Sequence, residues 1–226
     1  MKRIGIHRVD GRSYWFAGYF NAFDRDKMIR YAGLARAERF RDTFGGRIPF
    51  AGARIVRVFD PDEEAACQFA ETFGAQVACT LDEFAEGFDA VVVPFPSGGP
   101  ARDYGATAPL AEKGIPLFLD RIILERSEQL RSLCERMAPR RVPLHVTSFM
   151  RYFAELFLPQ GVARAECVVA STSGDPNGYG ADLLDLIDEL IKGQPQCVLN
   201  IGDSATDVLR IHYEDGRHAI LQLFHR

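Results

Sequence analysis

The chain has 226 residues, 47% hydrophobic and 26% charged, with a formal net charge of −4. That is an ordinary composition for a globular protein with a sizeable core, and without a basic tract it argues against nucleic acid or an anionic membrane as the main partner. The five cysteines (Cys67, Cys79, Cys134, Cys167, Cys197) are odd in number and form no C-x-x-C pair. Neither a disulfide framework nor a zinc site is expected, no run is apolar and long enough to span a bilayer, and a reducing cytoplasm is the expected location.

Residues 3–7 read as a short strand, followed by a loop over 7–23. Residues 24–43 read as one helix, with Met28, Ile29, Ala32, Ala35 and Phe40 as an imperfect apolar stripe. Residues 54–59 are a strand. The helix over 60–74 carries the clearest signals: Asp60 as cap, Pro61 at the first helical position, Glu63 closing a capping box and Gly74 ending it. A short strand at 76–79 and a helix around 81–84 follow. The runs "DAVVVPF" (89–95), "IPLFLD" (115–120) and "VPLHVTSF" (142–149) are continuously apolar, as in strands buried on both sheet faces. A helix at 124–137 lies between the last two. This rhythm implies parallel βαβ units, hence a doubly wound, Rossmann-like α/β domain over residues 1–148.

After Phe149 the rhythm changes. A strand (165–171), a turn-rich loop (174–180), a helix (181–193) and three strands with a hairpin turn at 214–216 make a small α+β domain over 149–226 with a mainly antiparallel sheet. In the 181–193 helix, Leu183, Leu184, Leu186, Ile187, Leu190 and Ile191 form the apolar face. Asp182, Asp185, Asp188 and Glu189 are expected on the opposite arc.

The candidate site residues cluster at strand ends, where open α/β sheets bind ligands. The turn after the first strand lacks G-x-G-x-x-G spacing. Gly11 is present, and Arg8 or Arg12 could pair with phosphate by charge. Asp60 ends the second strand, where an acidic residue accepts ribose hydroxyls, although a helix-cap role explains it equally well. Pro94 and Pro96 stand in "PFPSGGP", a candidate pocket wall. Asp120 and Arg121 end another buried strand. Tyr14, Trp15, Phe16, Tyr19 and Phe20 form an aromatic cluster suited to a pocket or an interface, although core packing is the commoner use. The histidines show no metal spacing.

These stations, in this order, resemble the Gfo/Idh/MocA oxidoreductase family over nearly the whole chain. "RIVRVFDPDEEAACQFAETFGAQVACTLDEF" resembles its second strand, acidic residue and helix, and "FDAVVVPFP" its fourth strand and proline turn. "EKGIPLFLDRIILERSEQLRSLCERM" is similar to the segment with its Glu-Lys-Pro motif, "VTSFMRYF" to the entry into its second domain, and "GYGADLLDLIDELIKGQPQCV" to the helix that carries a His and an Asp. The resemblance implies an NAD- or NADP-dependent dehydrogenase of a sugar-like or polyol substrate, with a motif lysine and a helix histidine assisting proton transfer. Here Asp120-Arg121-Ile122 stand in place of Glu-Lys-Pro, Asp182 takes the histidine position and Asp185 the aspartate position. Arginine stays protonated near neutral pH, so Arg121 suits anion binding better than proton transfer.

Two readings follow. In the first, a dehydrogenase, Arg8 or Arg12 meets phosphate, Asp60 the ribose, Asp182 acts as base and Arg121 orients an anionic substrate. In the second, a degenerate homologue without cofactor, the chain is a binding, regulatory or partner subunit, or has non-redox chemistry. Both imply a small-molecule ligand, with a homo-oligomer formed through the C-terminal sheet as an accompanying expectation.

Overall fold

Ile4 and Ile6, alternate residues of the first strand, are buried together with Ile55, Val58 and Phe69, and the sheet builds outward from them. The computed structural model describes residues 1–45, 50–94, 104–120, 127–159, 162–173 and 179–224. The chain divides into two compact units, Met1–His145 and Val146–Arg226. The first is built on strands β1 (Lys2–His7), β2 (Ala53–Phe59), β3 (Gln76–Val77), β4 (Ala90–Val93), β5 (Leu117–Asp120) and β6 (Leu144–Thr147). Their order in the sheet is β3-β2-β1-β4-β5-β6, and β1 pairs in parallel with both β2 and β4. This is the doubly wound order of dinucleotide-binding domains, with its switch point between β1 and β4.

The segment joining β1 to β2 differs from the loop and single helix expected there. It holds three helices, α1 (Gly11–Phe20), α2 (Arg25–Ala32) and α3 (Leu34–Phe44). Gly33, at φ 87°, divides the 24–43 run, because its left-handed backbone ends α2 and starts α3. Most of the aromatic run packs into the core, although Tyr19 is exposed and Phe20 lines a surface cavity. Tyr14 is buried edge-on against Phe69 and Phe73, and Trp15 stacks on Phe40 at 4.5 Å. A Cβ on Gly18 would fall 2.4 Å from the Phe44 ring, so α1 and α3 touch where that side chain is missing. Buried Asn21 closes α1. Its amide donates to the carbonyls of Ile55 and Phe73, and its oxygen accepts from the Ile55 N–H, all at 2.9 Å.

Helices α4 (Glu63–Phe73), α5 (Leu81–Phe84), α6 (Tyr104–Glu112) and α7 (Ser127–Met137) complete the first unit. The cap of α4 is Asp62, accepting from the Ala65 N–H at 3.1 Å, rather than Asp60. Asp60 lies too early to reach that turn because Pro61 and Asp62 intervene. Gly74 ends α4 in the left-handed region, as expected.

In the second unit, strands β7 (Cys167–Ser173), β8 (Pro195–Asn200), β9 (Thr206–Tyr213) and β10 (His218–Phe224) form a sheet in the order β7-β10-β9-β8. The β10–β9 and β8–β9 pairs are antiparallel and β10–β7 is parallel. Helix α8 (Ala181–Ile191) packs Ile187 and Ile191 against Ile211, Tyr213 and Leu221. Asp182 does not lie on the outward arc: it is 2% exposed, whereas Leu184 is 39% exposed. Asp182 stands one turn ahead of buried Leu186, which places it at the edge of the packed face. Among the described residues, no helix is long and apolar enough to cross a membrane.

Candidate functional site

β1 ends at His7, and the chain must then turn sharply into α1. Arg8 makes that turn at φ 77°, a left-handed conformation that a non-glycine residue adopts at a cost of about 1 kcal/mol or more. Asp10 caps α1. One of its carboxylate oxygens, Oδ1, accepts from the N–H groups of Arg12 (2.8 Å) and Ser13 (2.9 Å). Ser13 reciprocates, its Oγ accepting from the Asp10 N–H at 2.9 Å and donating to the Arg8 carbonyl at 2.9 Å. The Asp10 and Ser13 spacing is a capping box, the signal that locates α1. These two residues are the ones that reading the sequence for glycines misses.

Asp60, at the end of β2, faces the same turn. It accepts from the Val9 N–H at 2.6 Å and from the Asp62 N–H at 2.9 Å, and its side chain lies 3.9 Å from the Arg8 guanidinium. Arg12 reaches across to Asp120, at the end of β5, with a 2.6 Å ion pair between residues 108 positions apart. Because β4 lies between β1 and β5, this bridge spans the end of β4, beside the switch point. Burial pushes the Asp10 carboxyl above the usual carboxylate range, against the pull of the Ser13 and Arg12 bonds. Burial likewise raises Asp120, against the pull of Arg12.

The structure thus brings together Arg8 with Asp60, and Arg12 with Asp120, around Gly11 at the start of α1. Pro94 is buried directly after β4. Pro96 and Arg121 lie outside the described residues. His7, fully buried beside Phe59 and Phe84, has no hydrogen-bond partner for either ring nitrogen among the described residues. Burial, reinforced by Arg8, lowers its pKa from 6.5 to about 3, so it is neutral at physiological pH.

Asp182 and Asp185 belong to the second unit. Asp182 is buried in the first turn of α8. Asp185 accepts from the Ser148 N–H and from the Arg151 guanidinium, each at 2.8 Å, and Arg151 also meets Glu189 at 2.8 Å. Arg151 lies in the 310 segment Phe149–Leu156, so Asp185 helps bind that segment to α8. Among the described residues, no group of acidic, histidine or cysteine side chains could hold a metal ion.

Together the sheet order and the parallel pairing define a Rossmann-type unit followed by an α+β unit. The sequence matches the model of the oxidoreductase family with an NAD-binding Rossmann fold, Gfo/Idh/MocA, over residues 31–148, just over half of the chain. The chain belongs to that family. Its fold is shared with the UDP-N-acetylglucosamine 3-dehydrogenase GnnA from Acidithiobacillus ferrooxidans (TM-score 0.69, 14% identity, covering 99% of this chain and 69% of that one). The WlbA dehydrogenase from Bordetella pertussis, solved in complex with NADH and UDP-GlcNAcA, is similar at TM-score 0.68 and 15% identity over 99% of this chain and 69% of its own. An NAD-binding protein from Listeria innocua is similar at 0.71 and 14% over 99% and 67%. No curated protein matches the sequence.

The family match begins at residue 31, after β1 and its turn. Counted from the residue after β1, the G-x-G-x-x-G positions fall on Arg8, Asp10 and Ser13. A bound dinucleotide needs the α1 amides for its diphosphate and a turn without side chains for close approach. Here the amides of Arg12 and Ser13 already serve Asp10, and that of Val9 serves Asp60. A diphosphate seated there would stand against the Asp10 carboxylate. Two like unit charges 4 Å apart repel by about 4 kcal/mol at an effective dielectric of 20, more than a typical charged hydrogen bond returns. A Cβ on Gly11 would come no nearer than 3.6 Å to the Arg36 side chain, so nothing in the turn requires glycine there. The residues present do not fit the dinucleotide in its usual seat.

Proposed function

We propose that this chain is a cofactor-independent member of its family, acting as a binding, regulatory or partner protein for a small hydroxylated ligand rather than as a dehydrogenase. The observation that carries this reading is the Asp10 carboxylate on the two amides that would hold a diphosphate. The ligand class is a sugar or polyol, by analogy with the UDP-sugar dehydrogenase and the NADH and UDP-GlcNAcA complex whose fold the chain shares. A cytoplasmic location fits the composition. Self-association through the C-terminal sheet is part of the proposal: Val169, Ile220, Arg210 and Leu199 form one row across the four strands, and Val169 and Leu199 are exposed.

The second reading, an NAD(P)-dependent dehydrogenase, is favoured by the family match. In it Asp10 withdraws, Arg8 or Arg12 meets phosphate above Gly11 and Asp60 meets the ribose. Pro94, Pro96 and Asp120 line the crevice, Arg121 orients an anionic substrate, Asp182 is the base and Asp185 supports it. Titration of the purified protein with NADH and NADPH, followed by nucleotide fluorescence and thermal unfolding, separates the two. Cofactor independence predicts no saturable signal and an unchanged Tm at millimolar nucleotide. A saturable signal with a Tm rise of several degrees establishes the dehydrogenase reading instead.

A further inference from the structure

We infer that Asp10 is a built-in occupant of the diphosphate seat and determines which ligands are refused there, while the Arg12–Asp120 pair straps the same crevice shut. The inference rests on the cofactor-independent reading and deepens it, by naming the residues that close the site.

The geometry makes the replacement specific. A bound phosphate oxygen at a helix start accepts from the exposed amides of the first turn. Asp10 Oδ1 does so at 2.8 and 2.9 Å, supplying the negative charge that the start of α1 favours. The neighbouring donors are also consumed internally. The Val9 N–H goes to Asp60, and the Asp10 N–H to Ser13 Oγ. Arg12, the cation best placed to attract a phosphate at this helix start, is spent on Asp120, which is 4% exposed. Three carboxylates, Asp10, Asp60 and Asp120, balance three guanidiniums, Arg8, Arg12 and Arg36, so the turn presents no net positive charge to an incoming anion. The amides of Val9, Asp10, Arg12 and Ser13 therefore all have partners of the chain's own.

The same arrangement names what would reopen it. Asp10→Gly removes both the charge and the occupying side chain. Asp10→Ser keeps a capping oxygen, and with it the helix start, while removing the charge. Adding Asp120→Asn to Asp10→Ser releases Arg12 to meet an anion.

The test is calorimetric titration of inorganic pyrophosphate, and separately of NADH, into the wild type and these three variants, with circular dichroism confirming that each is folded. The wild type is expected to bind neither. Asp10→Gly is expected to bind pyrophosphate at least tenfold more tightly than the wild-type limit, Asp10→Ser at least threefold, and Asp10→Ser/Asp120→Asn more tightly than Asp10→Ser. If Asp10→Gly does not fold, Asp10→Ser and the double variant decide. Folded Asp10 variants that bind no better than a non-binding wild type overturn the inference and leave the cofactor-independent reading standing. A double variant no tighter than Asp10→Ser overturns the strap. NADH binding by the wild type overturns the functional reading itself.

Discussion

Helices α1 and α4 both begin on an aspartate at the carboxyl edge of the same sheet, one strand apart. Asp62 caps α4 with a single bond to the Ala65 N–H, and it is exposed. Asp10 caps α1 with two, receives Ser13 in return, and is half-buried at the crevice. The local chemistry is the same and its consequence differs with position. Beside β2 the cap only starts a helix. Beside the switch point it occupies two of the amides a dinucleotide would use, and Asp60, whose place at the end of β2 suits a ribose, has its carboxylate on the Val9 N–H. On the cofactor-independent reading, a Rossmann sheet is retained while the turn that serves a cofactor is rebuilt from ordinary capping residues.

The sharpest way to probe the rebuilt side is through His7, the last residue of β1. Its pKa is about 3 in the folded chain and 6.5 when unfolded. Below pH 6.5 the unfolded state binds a proton that the folded state refuses, so stability is lost as pH falls from 6.5 towards 3. Between pH 7 and 4.5 the loss due to His7 is about 2.5 kcal/mol. Asp10 and Asp120, whose pKa values are raised, act with the opposite sign: their burial penalty eases as they protonate. Urea unfolding of wild type and His7→Phe at both pH values isolates the histidine, and equal slopes in the two proteins contradict its neutral burial.

Asn21 tests whether α1 is anchored at its far end as well as at Asp10. Asn21→Ala leaves the Ile55 N–H and the carbonyls of Ile55 and Phe73 without their side-chain partner, at a cost of about 2 kcal/mol in urea unfolding. The two caps can then be set against each other directly. Asp10→Ala is expected to cost about 1 kcal/mol and Asp62→Ala about half of that, because the exposed cap loses one bond where the crevice cap loses two. Equal losses remove the distinction between the helix starts. As a control in the second unit, Arg151→Ala breaks ion pairs with Asp185 and Glu189 at a site 40% exposed, and is expected to cost about 0.5 kcal/mol. A loss as large as that of Asn21→Ala makes the 310 segment a far stronger anchor than screened charges allow.

Much of the sheet was legible because its strands are unambiguous. The continuous apolar runs that form β4 and β5 have few alternatives to burial in a parallel sheet, and Gly74 marks the end of α4, whereas β6, read from the same kind of run as buried on both faces, is an edge strand with His145 exposed. Helix α1 was not legible, for a physical reason. It is aromatic on most sides, with Tyr14 buried and Trp15, Phe16 and Phe20 half-buried, so it shows no apolar stripe of helical period. Its one clear signal, the Asp10 and Ser13 spacing, sits where a glycine pattern is sought. Pairing between Arg12 and Asp120 depends on the strand order of the folded sheet, which a single sequence does not reveal. The burial of Asp182 was missed because charged residues on an amphipathic helix are read as its wet face.

The most direct measurement is a crystal structure of the wild-type protein soaked in millimolar NADH. Closure of the turn by its own carboxylates predicts density with Asp10 still on the amides of Arg12 and Ser13, Arg12 still on Asp120, and no diphosphate above Gly11. A diphosphate bound to those amides, with Asp10 turned out to solvent, contradicts it.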